Sequence, residues 1–246
     1  MFHIFSKKRF LVDYLDSFVD IHNHILPGID DGAKTVEDSM ALIRGFSSIG
    51  VHKFVATPHI MHNYYDNKPE NIQKSLILLK NELLKNELKN VSVEASAEHM
   101  IDDNFEAILE KGEVMSLRKD YLLIEMSYLQ PSINFDEAIQ KIASKRYFPI
   151  LAHPERYVYL HNNFAKYERY KRQGVLFQMN LLSLGEFYGK DVQKTAFQLL
   201  NHGLIDFVGS DVHNLRQLNH LKELTVTNKI LKSLLPVIER TIYNFY

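Results

Sequence analysis

The chain contains no cysteine. Disulfides and thiolate nucleophiles are therefore both excluded, and with them the cysteine route to phosphate-ester hydrolysis. It also lacks net charge, since 29 Lys and Arg against 30 Asp and Glu leave −1. That balance offers a nucleic acid no bulk electrostatic hold, so no nucleic-acid partner is expected. No apolar run approaches the length of a membrane-spanning helix, so no stable membrane insertion is expected either. Residues 1–17 carry Lys7, Lys8 and Arg9 among Phe2, Ile4, Phe5, Phe10 and Leu11, without the long apolar core or the cleavage site of a signal peptide. They read as an N-terminal extension packed on the main domain at 18–246, with a weak membrane-surface anchor as the minor reading. No linker, second domain or low-complexity segment interrupts the chain.

What the chain has is alternation. Seven short apolar stretches read as strands: Phe18–His22, Lys53–His59, Val91–Glu98, Tyr121–Glu125, Pro149–His153, Val175–Asn180 and Asp206–Asp211. Helical spacing separates them, as in Val36, Met40, Ile43 and Phe46, or in Ile72, Leu76, Leu79 and Leu83. Further helices are expected over 105–111, 135–146, 164–172 and 192–202, and a last helical region from Leu221 to the C-terminus, broken at Pro236. Gly50, Gly112, Gly174 and Gly203 follow helices, where a left-handed cap is wanted. Such alternation implies parallel strands with helices outside. The 246 residues suit one α/β domain, a (β/α)7 barrel with parallel strands, one unit short of the usual eight. An open doubly wound sheet would instead concentrate its site at one switch point.

Here the polar residues come from nearly every strand. Six of the seven stretches end in a residue that can ligate a metal, and the seventh ends in Asn180. Side chains gathered at the carboxyl ends of barrel strands mark the catalytic face. In Asp20-Ile21-His22-Asn23-His24, alternate residues share a face, so Asp20, His22 and His24 are expected to look inward together. Asp211-Val212-His213 repeats that logic. His59 follows the second strand, Glu98 the third, Glu125 the fourth and His153 the fifth; Asp31 lies in the first loop. Glu94 shares the parity of Glu98 but lies deeper. A carboxylate after the wholly apolar Leu122-Leu123-Ile124 is costly unless a metal or another partner compensates it. Five imidazoles and four carboxylates are too many for one tetrahedral site and enough for two or three divalent transition metals. The donor mix suits zinc, manganese or iron better than calcium or magnesium. His99 has the opposite parity and should face away. His62 reads as a loop histidine, and His3, His52, His161, His202 and His220 as surface ones. Tyr64, Tyr65, Tyr157 and Tyr159 lie on catalytic-face loops, where they either stack on an aromatic substrate or pack the rim.

Asp20-x-His22-x-His24, Pro58-His59, Ala97-Glu98, Ile124-Glu125, Ala152-His153-Pro154-Glu155-Arg156-Tyr157 and Ser210-Asp211-x-His213-Asn214 together resemble the PHP (polymerase and histidinol phosphatase) superfamily. His22 to Gly32 is most similar to its capsule-operon branch, the metal-dependent bacterial protein-tyrosine phosphatases. The resemblance covers about Val19 to Leu215. It implies a trinuclear centre in a distorted (β/α)7 barrel: His22, His24, Glu98 and Asp211 on one metal; Glu98, Glu125 and His153 on a second; Asp31, His59 and His213 on a third. Glu98 would be the bridge. It implies direct attack on phosphorus by a metal-bridging hydroxide, with Asp211 at the centre and Arg156 holding the phosphate beside a second arginine, Arg216, which arrives sooner than that branch places it. The implied setting is the cytoplasm, and the implied partner is a phosphotyrosine protein, the tail of a bacterial tyrosine kinase in capsular polysaccharide synthesis. A homo-oligomer is possible. Two rivals stay open from the residues, a small-molecule phosphomonoesterase such as a histidinol phosphatase and a non-catalytic regulator.

Overall fold

All seven expected strands form in the computed structural model, which describes residues 8–246, but two of them break in the middle. After a short β1 (Lys8–Phe10), the first is β2 (Val19–Asp20). The second is split into β3 (Lys53–Ala56) and β4 (His59–Ile60), and the third into β5 (Ser92–Ala95) and β6 (Glu98–Met100). Then come β7 (Tyr121–Glu125), β8 (Phe148–Ala152), β9 (Leu176–Asn180), β10 (Phe207–Gly209) and a final β11 (Thr225–Thr227). The helices are α1 (Val36–Ser47), α2 (Pro69–Lys85), α3 (Phe105–Lys111), α4 (Phe135–Ser144), α5 (Phe164–Arg172), α6 (Lys190–Asn201), α7 (Leu215–Glu223) and α8 (Asn228–Phe245).

Pairing runs in parallel as β2-β3-β5 and as β4-β6-β7-β8-β9-β10. The split strands belong to both ladders, so the order around the molecule is that of a barrel. Across the seam between β10 and β2, the Asp211 N–H donates to the His22 carbonyl (2.7 Å) and the His24 N–H to the Val212 carbonyl (3.1 Å). The architecture is a distorted (β/α)7 barrel. One source of the distortion is local: Pro58 has no N–H to offer a ladder, so the strand must break there.

Alternation sorts the apolar side chains. Val19, Ile21, Val55, Leu123, Ile150, Ala152 and Phe207 form a small inner core, and Phe245 at the end of α8 packs on Phe207 at 5.1 Å. Leu122, Ile124 and Leu151, of opposite parity, join the larger core under the helices. Polar residues at the carboxyl ends of the same strands are thereby fixed by a packed floor.

The C-terminal region differs from expectation. It is not one helix broken at Pro236. Instead α7 is followed by β11, and α8 runs through Pro236. The reason is tertiary: β11 pairs antiparallel with β1, Lys8 against Thr227, a contact that local periodicity does not report. Leu11 and Leu15 are buried beside it. Lys7 and the other residues of 1–7 on which the membrane-surface reading leaned lie outside the described residues, as does His3. Among the described residues no helix is long and apolar enough to cross a membrane.

Candidate metal centre

The barrel brings strand ends together, and with them the nine side chains expected from sequence to be metal donors. His22 and His24 follow β2, and Asp31 lies in the next loop. His59 opens β4 directly beside Glu98, which opens β6. Glu125 closes β7, His153 follows β8, and Asp211 and His213 follow β10. Their donor atoms form overlapping groups, each within 4.8 Å: His22, His24 and Asp211; His22, Glu98 and His153; His59, Glu98 and Glu125; His24, Asp31, His59 and His213.

Glu98 is at the centre. Its Oε2 lies 3.2 Å from His22 Nε2, 3.6 Å from His24 Nε2 and 3.2 Å from His59 Nδ1, and its Oε1 lies 3.0 Å from His153 Nε2. Asp211 Oδ1 is 3.3 Å and 3.4 Å from the same two Nε2 atoms of His22 and His24. Asp31 is 3.4 Å from His59 Nε2 and 3.5 Å from His213 Nε2. One feature departs from the expected partition: His59 also turns Nδ1 to Glu125 Oε1, at 3.0 Å, so its ring touches two groups at once.

Close approach imposes conditions on the backbone. His153 and Asp211 adopt left-handed φ values of 36° and 53°, which cost non-glycine residues energy and are held by their surroundings. At Gly209 a Cβ would stand 2.7 Å from the His22 Cβ, so only glycine lets the two strands meet there.

Further side chains orient these candidate donors. His24 Nδ1 is 2.7 Å from Asp30 Oδ2. His22 Nδ1 meets Gln178 Oε1 at 2.7 Å; the Gln178 amide donates to Asn180 Oδ1 (3.1 Å), and the Asn180 amide donates to Asp211 Oδ2 (2.6 Å). Sequence reading set the sixth strand aside because it ended in Asn180. The i, i+2 pair Gln178 and Asn180 was the available signal for this support. Asp30 carried none beyond its place beside Asp31. Asp20 does not join the ligands. Its carboxylate accepts from the Ser210 N–H (2.9 Å) and hydroxyl (2.6 Å) across the seam, and burial pushes its pKa up to about 6 against those bonds.

Arg156 enters the site as expected. Its Nη1 donates to Asp211 Oδ2 at 2.6 Å, and its guanidinium carbon lies 4.6 Å from the Tyr128 ring and 4.2 Å from the Tyr188 ring. Neither tyrosine was singled out by sequence. Arg216 is not brought to the site. It is exposed in the first turn of α7 and, among the described residues, makes no ion pair or side-chain hydrogen bond. Asn214 caps that helix by accepting from the Gln217 N–H (3.1 Å), so the chain has already turned into the helix at Arg216.

The other candidates fall away from the cluster. Glu94 pairs with Arg118, and His62 lies 3.2 Å from Asp66. His99 is a core residue, Nδ1 at 2.9 Å from the Leu123 carbonyl and Nε2 accepting from the Met115 N–H; burial lowers its pKa to about 4. His161 is half-buried, its Nε2 2.7 Å from the Glu155 carbonyl. Tyr157 is buried with its hydroxyl accepting from the Met126 N–H, and Tyr159 donates to the Ser127 carbonyl. Both therefore pack beneath the rim, while Tyr64, Tyr65 and Tyr128 line the cavity above the cluster, whose volume is about 860 Å³.

The electrostatics are those of a donor cage. Burial pushes the Glu98 and Asp211 carboxyls up, but the facing imidazoles outweigh it and hold both well below the usual range. Burial lowers His24, but Asp30 and Asp211 raise it to about 10. His22 Nε2, His24 Nε2, His59 Nδ1, Glu98 Oε2 and Glu125 Oε1 are buried without an aligned hydrogen-bond partner among the described residues. Orphaned buried polar atoms are rare and costly, and five facing one another fit cations of nitrogen-and-oxygen preference.

Comparison with known proteins identifies the family. Residues 18–230 match the family described as capsular polysaccharide synthesis, CpsB/CapC. The chain is 32% identical over 221 residues to the tyrosine-protein phosphatase YwqE of Bacillus subtilis, covering 89% of this chain and 87% of that protein. It is 28% identical over 229 residues to the putative tyrosine-protein phosphatase CapC of Staphylococcus aureus, covering 92% and 89%. Its fold matches a chain from the crystal structures of YwqE and Streptococcus pneumoniae CpsB, described as unique metal-dependent tyrosine phosphatases, with a TM-score of 0.81 and 29% identity over 93% of this chain and 95% of that one. With the family matched over most of its length, this chain belongs to the CpsB/CapC family.

Proposed function

We propose that this chain is a metal-dependent protein-tyrosine phosphatase. The observation that carries the reading is the set of nine clustered donors, five with buried unpaired atoms, in a cavity lined also by Arg156 and by tyrosines. His22, His24, Glu98 and Asp211 would hold one cation, Glu98, Glu125 and His153 a second, and Asp31, His59 and His213 a third; manganese, iron or zinc suits the donors. Bound there, such cations activate water near neutral pH and neutralise charge on phosphoryl oxygens.

The chain's own residues supply the rest. Arg156 has a planar fork suited to phosphate oxygens, and its contact with Asp211 ties that fork to the cluster. Tyr128 and Tyr188 hold the guanidinium between their faces, which removes rotamer freedom before substrate arrives. The chain has no cysteine to form a thiophosphate intermediate. We place the enzyme in the cytoplasm, with the tyrosine-rich tail of a capsule-assembly kinase as substrate, in keeping with the family's role in capsular polysaccharide synthesis. The test compares phosphate release from phosphotyrosine peptides and from histidinol phosphate, with and without chelator. Peptide turnover abolished by chelator supports the reading; preference for histidinol phosphate makes it a small-molecule phosphatase, and no turnover of either leaves a non-catalytic regulator.

A further inference from the structure

The cavity is larger than its chemistry needs. At about 860 Å³ it lies toward the upper end of the range that encloses a drug-sized ligand, more than one phosphorylated side chain requires. Its inner wall is built from the cluster and Arg156. Its lip is different. Three large apolar side chains stand in solvent around the same mouth: Leu129 is 91% exposed, Ile133 is 100% exposed and Tyr64 is 78% exposed. Single exposed apolar residues are ordinary, but three around one opening mark a contact surface.

The β7–α4 loop that carries Leu129 and Ile133 is tied down between them. The Ser132 hydroxyl donates to the Ile101 carbonyl at 2.8 Å, so the two side chains are presented by a pinned segment. The lip also has a charge character. Asp102 and Asp103 line it, and among the described residues lining this cavity Arg156 is the only lysine or arginine. Asp102 is engaged by the His62 and Asn104 N–H groups, while Asp103 is exposed.

We infer that this lip is a docking surface for the residues flanking a phosphorylated tyrosine in an extended protein segment, and that it prefers apolar flanks to acidic ones. The inference rests on the phosphatase reading and adds the substrate's sequence class to it. With the phosphoryl group at the cluster, the rest of the segment must leave through the mouth, past Leu129, Ile133 and Tyr64. Burial of an apolar flanking side chain there removes surface from water on both partners, whereas an acidic flank meets Asp103 in a lip without a compensating cation.

The test uses the metal-loaded protein and three phosphotyrosine peptides alike except for flanks of Leu and Ile, of Ser and Gly, or of Glu, with p-nitrophenyl phosphate as a flank-free substrate. Expected kcat/KM for the apolar peptide exceeds that for the Ser/Gly peptide by roughly tenfold, the scale of one buried apolar side chain, and the Glu peptide is the poorest. The double variant Leu129→Ser, Ile133→Ser should lose the apolar preference while turning over p-nitrophenyl phosphate as the parent does. Asp103→Asn should improve the Glu peptide alone. Equal kcat/KM for all three peptides in the parent, or an equal loss on p-nitrophenyl phosphate in the double variant, would overturn the docking inference and leave the phosphatase reading standing. Failure of the parent to release phosphate from any phosphotyrosine peptide would overturn both.

Discussion

Arg156→Ala should separate phosphate binding from metal binding. In the parent the guanidinium gives one N–H to Asp211 and is clasped by Tyr128 and Tyr188, which leaves the other donors of the fork available to a phosphoryl group. Removing one preorganised donor from a developing charge costs about 10²- to 10³-fold in kcat, or about 2.7–4 kcal/mol. The fold should tolerate the change. Breaking a buried ion pair costs about 3–5 kcal/mol when the remaining charge is left alone. Asp211 is not left alone: the Asn180 amide remains at 2.6 Å and His22 and His24 at 3.3 and 3.4 Å, so the loss should fall below that range. Arg156→Lys keeps the charge without the fork and should recover only part of the activity. Arg216→Ala, altering an exposed helix residue, should match the parent. The assay is metal content by elemental analysis and kcat on a phosphotyrosine peptide, from the same preparations, together with inhibition by inorganic phosphate. The expected outcome is unchanged metal, kcat down by roughly 10² or more and weaker inhibition. An Arg156→Ala enzyme that is fully active, or that has lost its metal, would refute the phosphate-clamp reasoning.

Glu98→Ala should lose both metal and activity, because Glu98 faces His22, His24, His59 and His153 together; retention of the parent's metal content would count against its bridging role. Asn180→Asp should be worse than Asn180→Ala in metal affinity, which falls about 10- to 100-fold when a ligand loses its outer partner, since the carboxylate removes the donor and sets a like charge against Asp211; titration with manganese of chelated protein decides, and equal affinities would contradict it. For His99 the sign follows from burial: its folded pKa of about 4 lies below the ordinary 6.5, so the stabilisation is present above pH 6.5 and is lost as pH falls toward 4, amounting to about 2–3 kcal/mol by pH 4.5. Urea unfolding of metal-free His99→Gln and parent across that window should show the parent losing more, and parallel acid limbs would be the contrary result.

Most of the candidate ligand positions were legible because they follow apolar stretches and because His22, His24, Asp211 and His213 obey the strand period of two; Asp31, in the first loop, has no such local signal. The strand-end positions are fixed by local register, which sequence expresses directly. The strand breaks were half-legible: Pro58 announces one, but the turn at Ser96 and Ala97 depends on Ser96 bonding to the Met115 carbonyl, nineteen positions away. The pairing of β1 with β11 joins Lys8–Phe10 to Thr225–Thr227, segments far apart in sequence, and leaves no periodic trace. Tyr157 and Tyr128 show the same limit. Both lie on catalytic-face loops, yet one is buried under the rim and the other lines the cavity, a difference set by how the loop after β7 folds over its neighbour.

The sixth strand shows why a site can need residues that look inert. Four carboxylates already crowd the cluster, and a fifth carboxylate beside Asp211 would add repulsion in a medium that screens it poorly. Carboxamides avoid that cost. Each offers an acceptor and a donor in one neutral group. Gln178 meets the His22 ring with its oxygen and Asn180 with its nitrogen, and Asn180 passes its own nitrogen to Asp211. His22 is thereby steered to present Nε2 to Glu98, while Asp211 keeps Oδ1 free to face both imidazoles. A strand ending in an amide is thus the neutral member of the ring, and it sets the geometry that its charged neighbours use.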